Sequence, residues 1–178
     1  MTARVYFACD IHGSESCFLK FVNIGKYRTY KAEVMILSGD LTGKAVVPII
    51  QEKDGHYRAE FLDASETITS QEELKNLKKR IRNVGYYHEV VTPEQYEELR
   101  TDRAKYDAMF NRLMTEGLVH WIRTAEERLA NANLKVFMMP GNDDLPEIGD
   151  ILSKSHLIVN PEDRVVEIDQ YHEMISLG

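Results

Sequence analysis

Short apolar runs alternate with amphipathic segments along the first 40 residues of the chain. The apolar runs at residues 4–9 and 33–38 predict buried strands, because each is short, continuous and ended by a turn signal. Between them, Ser14 is placed to cap a helix. The inner face of that helix has residues spaced three or four apart, namely Phe18, Phe21, Val22 and Gly25. Two buried strands joined by a helix predict a right-handed βαβ unit in a parallel sheet covered on both faces.

From residue 44 onward the pattern changes to that of a hairpin followed by a helix. The segments "AVVPIIQE" and "HYRAEFLD" flank Asp54-Gly55, which is typical of a β-hairpin. The segment "GYYHEVV" predicts a further strand. We interpret residues 44–91 as an insertion within a single domain that spans 1–178.

Two helices are predicted around that last strand. Ser70 and Glu73 form a capping box, and Gly85 ends the helix that they open. Its apolar stripe consists of Leu74, Leu77, Ile81 and Val84. Thr92-Pro93 opens a long second helix, which Gly117 is expected to kink or interrupt. The stripe of the second helix consists of Leu99, Tyr106, Phe110, Leu113, Ile122 and Leu129.

The alternation of strand and helix resumes in the last third of the chain. "LKVFMMP" at 134–140 predicts another buried strand, and a short helix is expected at 146–153. Three short strands follow in "HLIVN", "RVVEID" and "YHEMISL". Trp121 and the pair Met138-Met139 are expected to lie in the core.

Composition narrows the class of protein. A hydrophobic fraction of 43% can supply a buried core, and no apolar run approaches the ~20 residues of a membrane span. The chain enters a strand close to its N-terminus, which leaves no room for a signal peptide, so we expect a cytoplasmic protein. We expect Cys9 and Cys17 to be small buried thiols rather than a disulfide.

The net charge of the chain indicates which kinds of partner it is suited to bind. The net charge of −7 disfavours sequence-independent binding of duplex nucleic acid, which needs a basic surface, and it suits a chain that uses carboxylates to bind metal ions. The basic run at 75–82 would attract phosphates, but the capping box and apolar stripe of the same segment favour a solvated helix face.

Three of the predicted strands end in short turns that carry metal-ligand side chains. The turns are Asp10-Ile11-His12, Gly39-Asp40 and Gly141-Asn142-Asp143-Asp144. The carboxyl ends of parallel strands are where open α/β sheets bind ligands. Each turn alone is weak evidence for a metal site, since Asp-x-His and Gly-Asp are common turn sequences. All three turns, however, follow strands that were predicted independently. Carboxylate, imidazole and amide donors together suit Mn, Fe or Zn better than Ca.

The ordered set Asp10-x-His12, Gly39-Asp40 and Gly141-Asn142 resembles the calcineurin-like metallophosphoesterase superfamily, and within it a subgroup of small microbial predicted phosphoesterases. The resemblance implies an αββα sandwich with two divalent metal ions. Asp10 and His12 would bind the first ion, Asp40 would bridge, and Asn142 would bind the second. A metal-bound hydroxide would attack phosphorus in line, and main-chain groups at Gly13 and Gly141 would shape the phosphate pocket.

The chain departs from the family pattern at two places. Asp143 stands where the family usually has a catalytic His, and Asp144 matches the acidic residue that orients that His. No Gly-His-x-His turn follows Asn142, and His156 and His172 are expected to be ordinary strand residues. The 178 residues therefore resemble the N-terminal part of such a domain. Two explanations stay open: the sequence is a truncation, or a second copy or a partner chain supplies the second sheet and covers the apolar face and edge that half a sandwich would expose.

These features predict a metal-dependent phosphoesterase, most simply a phosphodiesterase acting on a phosphate ester, with no membrane partner. One alternative is a protein with the same fold that binds protein partners as a scaffold and has little catalysis. Another is a nuclease, which the acidic net charge disfavours. Tyr86, Tyr87 and His88 fit either a substrate wall or a half-buried strand.

Overall fold

Residues 3–177 are described by a computed structural model and form a mixed α/β fold. The strands within this range are β1 (Val5–Cys9), β2 (Val34–Ser38), β3 (Val46–Gln51), β4 (Tyr57–Phe61), β5 (Ala64–Ile68), β6 (Tyr87–Val91), β7 (Lys135–Met138), β8 (Ile158–Val159), β9 (Val165–Glu167) and β10 (Glu173–Ile175). The α-helices are α1 (Glu15–Lys26), α2 (Gln71–Asn83), α3 (Pro93–Thr101), α4 (Arg103–Leu129) and α5 (Glu147–Leu152). A short 3-10 helix covers Thr29–Lys31.

The chain divides into two compact units. The first contains the described residues up to His12, then Cys17–Thr42, and those from Thr115 onward. The second contains Gly13–Ser16 and Gly43–Met114. The insertion interpreted at 44–91 lies wholly inside the second unit, which continues beyond it.

A parallel sheet with strand order β1-β2-β7-β8 organises the first unit. Val5 pairs with Val34 and Cys9 with Ser38, so β1 and β2 end side by side, and β7 pairs with β2 in the same direction. The predicted parallel βαβ arrangement is confirmed. The carboxyl ends of three strands therefore meet at one edge of the sheet.

Helix α1 covers one face of this sheet with the residues that the spacing predicts. Phe18, Phe21, Val22 and Gly25 are its buried residues. Phe18 stacks on Trp121 with ring centroids 4.4 Å apart. A Cβ at Gly25 would come within 2.5 Å of the Met35 sulfur, so only glycine allows the helix this close to the sheet. Met138 and Met139 are buried, as predicted.

The antiparallel pair β9–β10 contributes to the opposite side of the sheet. A hydrophobic cluster of Val34, Ile36, Phe137, Met139 and Ile168 forms there, with Val166 and Met174 packed against it. Alternate residues of the pair, Val165 and Ile175, are 55% and 69% exposed, because successive side chains of a strand point to opposite faces.

Two expectations about burial near β1 are wrong. As an edge strand of its sheet, β1 is only half-buried, and Val5 and Phe7 are exposed. Both cysteines are exposed, since Cys9 lies on the open face of β1 and Cys17 on the outer side of α1, and they form no disulfide with each other. A hydrogen bond with Asp10 raises the pKa of the Cys9 thiol, which keeps it protonated at neutral pH.

The second unit is built on a sheet with strand order β5-β4-β3-β6. The predicted hairpin is present, with β3 and β4 antiparallel on either side of Asp54-Gly55. Strand β5 was not predicted, because its segment "ASETI" is mostly polar and exposed. The Ser70–Glu73 capping box opens α2 as expected. The core of this unit consists of Val47, Ile49, Ala59, Phe61, Ile68, Leu74, Leu77 and Ile81.

The helical predictions need two corrections. The helix expected from Thr92 onward is broken at Asp102, which has extended backbone angles (φ −115°, ψ 98°), whereas Gly117 lies within the uninterrupted α4. Val84 is not part of the buried stripe of α2; it is the C-cap residue and is 45% exposed. No helix within residues 3–177 is both long and apolar enough to cross a membrane.

Replacing Ile81 tests the core of the second unit. Ile81 is fully buried, so Ile81→Ala should lower the free energy of unfolding by about 2–5 kcal/mol. Val84→Ala at the C-cap of the same helix removes an exposed side chain and should change it by less than about 0.5 kcal/mol. Urea denaturation followed by circular dichroism measures both, and equal losses would contradict this assignment of the core.

Candidate functional site

The turns after β1 and β2 are tied together by their backbones. The N–H of Asp10 donates to the carbonyl of Ser38 at 3.0 Å, and the N–H of His12 donates to the carbonyl of Asp40 at 2.9 Å. The N–H of Asp40 in turn donates to Oδ1 of Asp10 at 3.3 Å. The structure thus brings three predicted site residues together at the carboxyl edge of the sheet.

Asp40 lies at the centre of this edge. It is 8% exposed, whereas Asp10 is an exposed residue and the His12 side chain is 40% exposed. Its Oδ2 lies 3.6 Å from Nδ1 of His12, and its Oδ1 accepts a hydrogen bond from the N–H of Asp143 at 3.1 Å. The turn after β7 therefore contacts the same carboxylate as the turn after β1.

Glycines at two positions allow the backbone to pass this close. Gly39 has φ +74°, and a Cβ there would collide with Oδ1 of Asp10. A Cβ on Gly141 would lie 2.6 Å from the nitrogen of Asp40. Both glycines are therefore required by contact with the two carboxylate-bearing turns.

The first turn also holds non-glycine residues in left-handed backbone conformations. Asp10 has φ 51° and His12 has φ 45°. Such conformations cost roughly 1 kcal/mol or more for residues other than glycine and persist where surrounding contacts enforce them. Here the enforcing contacts are the two backbone hydrogen bonds to Ser38 and Asp40.

Asp144 joins the turns after β2 and β7. Its Oδ2 accepts from the N–H of Leu41 at 2.8 Å and from that of Gly141 at 3.0 Å. Its Oδ1 accepts from the N–H of Thr42 at 2.8 Å and from the Thr42 hydroxyl at 2.5 Å. The N–H of Gly141 therefore has an acceptor within the chain.

Thr42 is the member of this cluster that the sequence analysis missed. The sequence feature that could have indicated it is the hydroxyl residue in "GDLTG", two positions after Asp40. Threonine is common in turns, so this feature alone does not stand out. Asn142 and Asp143 are exposed neighbours in the turn after β7, and Nδ2 of Asn142 donates to Oδ1 of Asp143 at 3.1 Å.

The donors at this edge fit a metal ion in kind, and one pair fits in spacing. Although the His12 side chain as a whole is partly exposed, its Nδ1 atom is buried and has no hydrogen-bond partner among the described residues. In tetrahedral coordination, two donors at about 2.1 Å from one ion lie about 3.4 Å apart, close to the 3.6 Å between Nδ1 of His12 and Oδ2 of Asp40. Across residues 3–177, however, no group of three or more His, Cys, Asp or Glu side chains is arranged to hold an ion.

Backbone packing in the second unit explains why residue 13 is a glycine. It has φ +73°, and a Cβ there would lie 2.6 Å from backbone atoms of Gly43 and Gly85. Packing of three backbone segments therefore requires glycine at this position. This requirement is independent of the part in phosphate binding that the family resemblance implies for Gly13.

The two histidines near the C-terminus have partners of their own. Nδ1 of His172 lies 2.9 Å from the carboxylate of Asp169, and this contact lowers the pKa of Asp169. The N–H of His156 donates to Glu126 at 2.8 Å.

The surroundings of His88 in the second unit lower its pKa strongly. Burial, reinforced by the charges of Arg82 and Lys78, lowers the pKa of His88 from 6.5 to about 4, with Glu15 acting in the opposite direction. Its Nε2 lies 3.1 Å from Nη1 of Arg82, and Arg82 also donates to Glu15 at 2.7 Å. His88 is therefore a neutral acceptor for Arg82 in the second unit.

Substituting Gly39 tests the contact between the first two turns. Gly39→Ala should lower the free energy of unfolding by about 1–3 kcal/mol from backbone strain, with a further loss from displacement of Asp10. Gly55→Ala is the matched control, since Gly55 has φ +88° but a Cβ added there would meet no atom within 4 Å. Each loss is measured by urea denaturation, and equal losses would rule out a steric role for Asp10.

His88 predicts a pH dependence of stability. The unfolded chain binds a proton at His88 near pH 6.5 and the folded chain only near pH 4, so stability falls as the pH drops through this window. His88→Gln should remove that part of the slope, whereas His56→Gln, at an exposed histidine of the same unit, should leave it unchanged. Denaturation midpoints between about pH 4 and 7 provide the measurement, and an unchanged slope in His88→Gln would contradict the assignment.

Comparison with known proteins gives no further identification. No protein-family model matches the chain, and neither the curated proteins nor the solved structures searched gave a match. The mixed α/β fold and the convergence of the Asp10, His12 and Asp40 turns are established by the structure, and the resemblance to metallophosphoesterases stays a prediction.

Proposed function

We propose that this protein is a metal-dependent phosphoesterase that acts on phosphodiesters. The observation that supports the proposal best is the meeting of Asp10, His12 and Asp40 at the carboxyl edge of a parallel sheet, with an unpartnered imidazole nitrogen facing a carboxylate. Ligand groups at such an edge are held by the ends of rigid strands, as a catalytic metal site requires.

The proposed fold is an αββα sandwich. The parallel sheet with α1 on one face would be one αβ pair of layers. The β9–β10 pair, whose Ile168 end packs on the other face, would begin the second sheet.

Asp10, His12, Asp40 and Asn142 would hold two divalent ions, with Mn, Fe or Zn the metals that suit this donor set. When bound, the ions would supply charge neutralisation at the phosphate and a nucleophile derived from water. Asp40, being buried and contacted from both sides, would bridge. Asp10 and Asn142, in the turns after the two strands that flank β2, would complete the ligand set.

The residues around the site also shape the substrate class. Asp10, Asp40 and Asp143 give this edge an acidic character, so an anionic phosphodiester would be repelled unless cations were bound first. Asp143 offers no imidazole to protonate a leaving group. We therefore expect esters with good leaving groups, such as aryl phosphodiesters, to be hydrolysed faster than alkyl ones.

The test is hydrolysis of bis(4-nitrophenyl) phosphate with Mn²⁺. Asp40→Ala should lower the rate by about 10²-fold or more, because the buried bridging carboxylate is lost. Chelation with EDTA should abolish turnover, and added Mn²⁺ should restore it. Asp150→Asn, an exposed substitution in the first turn of α5, is the control and should have no effect. Turnover that survives in Asp40→Ala would refute the proposal.

A second function, a scaffold that binds protein partners, is favoured by the exposed apolar side chains of the first unit. Val5 and Phe7 on β1 and Val165 and Ile175 on the β9–β10 pair are exposed, and such residues mark interaction surfaces when they are contiguous. Mn²⁺ binding that depends on Asp40, without hydrolysis of any phosphodiester tested, would favour the scaffold over the enzyme.

A further inference from the structure

Thr42 and Asp144 lie beside the proposed metal ligands without being among them. Thr42 is two residues after Asp40, and Asp144 is two residues after Asn142. Their side chains meet through a hydrogen bond of 2.5 Å between the hydroxyl and the carboxylate. The two residues therefore connect the turns that carry the central and the last proposed ligand.

The Asp144 carboxylate is bound by donors from both turns. Two backbone N–H groups and one hydroxyl come from the turn after β2, and the N–H of Gly141 comes from the turn after β7. Hydrogen bonds to a charged acceptor are stronger than those between neutral groups, so the three that cross from the turn after β2 form a firm connection, and the fourth holds the carboxylate in its own turn. Sequence separations of 102 and 103 residues show that no local element could supply it.

A second contact between the same turns reports on their separation. The N–H of Asp143 donates to Oδ1 of Asp40 at 3.1 Å, and this bond includes neither Thr42 nor Asp144. If the Asp144 connection sets the distance between the turns, the Asp143–Asp40 bond depends on it. If Asp144 merely satisfies its own donors, the Asp143–Asp40 bond is independent of it.

We infer that Asp144 and Thr42 are positioning residues that fix the turn after β2 against the turn after β7, and so hold Asp40 in place for its proposed bridging role. The role in holding a bridging metal ligand rests on the proposed function. Asp144 itself binds four donors of the chain and does not need to contact substrate or metal.

Amide hydrogen exchange resolved by residue tests the connection without any metal. In Asp144→Asn and in Thr42→Val, exchange at the Asp143 N–H should be faster by about tenfold or more, because loss of charge-assisted bonds lets the turns separate. Exchange at the Met139 N–H, which donates to Leu37 inside the same sheet, should change by less than about twofold. Thr42→Ser keeps the hydroxyl and should resemble the parent chain.

Matched controls are available in the same unit. Thr124→Val removes another threonine hydroxyl, one that donates to the carbonyl of His120 within α4, and Asp150→Asn neutralises an exposed aspartate. Neither should alter exchange at Asp143. Unchanged exchange at Asp143 in both Asp144→Asn and Thr42→Val would overturn the inference. So would equal acceleration at Asp143 and Met139, because Asp144 would then contribute only to general stability.

Mn²⁺ affinity separates failure of this inference from failure of the proposed function. Asp144→Asn and Thr42→Val should weaken Mn²⁺ binding by about 10–100-fold, as loss of residues that support metal ligands does. If the parent chain shows no Mn²⁺ binding that Asp40→Ala abolishes, the proposed function fails, and the exchange measurement alone decides the positioning role. If binding is present but unaffected by both substitutions, the positioning role fails and the proposed function stands.

Discussion

The parallel register of β1, β2 and β7 is the constraint on which the rest of the first unit depends. Because these strands run side by side in one direction, the turns that follow them must meet at one edge. Residues separated by about a hundred positions then lie within hydrogen-bond distance, as Thr42 and Asp144 do. A strand that ran the other way would carry its turn to the far end of the sheet.

Meeting at one edge brings like charges together, and the chain manages this by hydrogen bonding. Asp144 is stabilised by four donors, and Asp40 accepts from Asp143, so two of the carboxylates have fixed backbone partners. Gly39 and Gly141 provide the room for these contacts. Among the described residues, Nδ1 of His12 has no hydrogen-bond partner, so it differs from these satisfied carboxylates, and the proposed metal site would give it one.

The sequence predicted what local patterns determine. The buried face of α1, the capping box of α2 and the alternation of strand and helix all depend on residues close together in the chain, and these predictions were confirmed. The exposure of β1 could not be predicted, because hydrophobicity does not tell an edge strand from a central one. The break at Asp102 and the partnership of Thr42 with Asp144 depend on backbone angles and contacts that no periodicity encodes.

The left-handed backbone of Asp10 and His12 sets stability and chemistry against each other in this protein. Glycine adopts such angles at no steric cost, so glycine at either position would relieve backbone strain and remove a carboxylate or an imidazole in the same step. Selection or design for heat tolerance alone would therefore tend to erase the side chains that lie beside Asp40. A stabilised variant of this protein has to gain its margin elsewhere, in the cores of the two units, and leave the first turn strained.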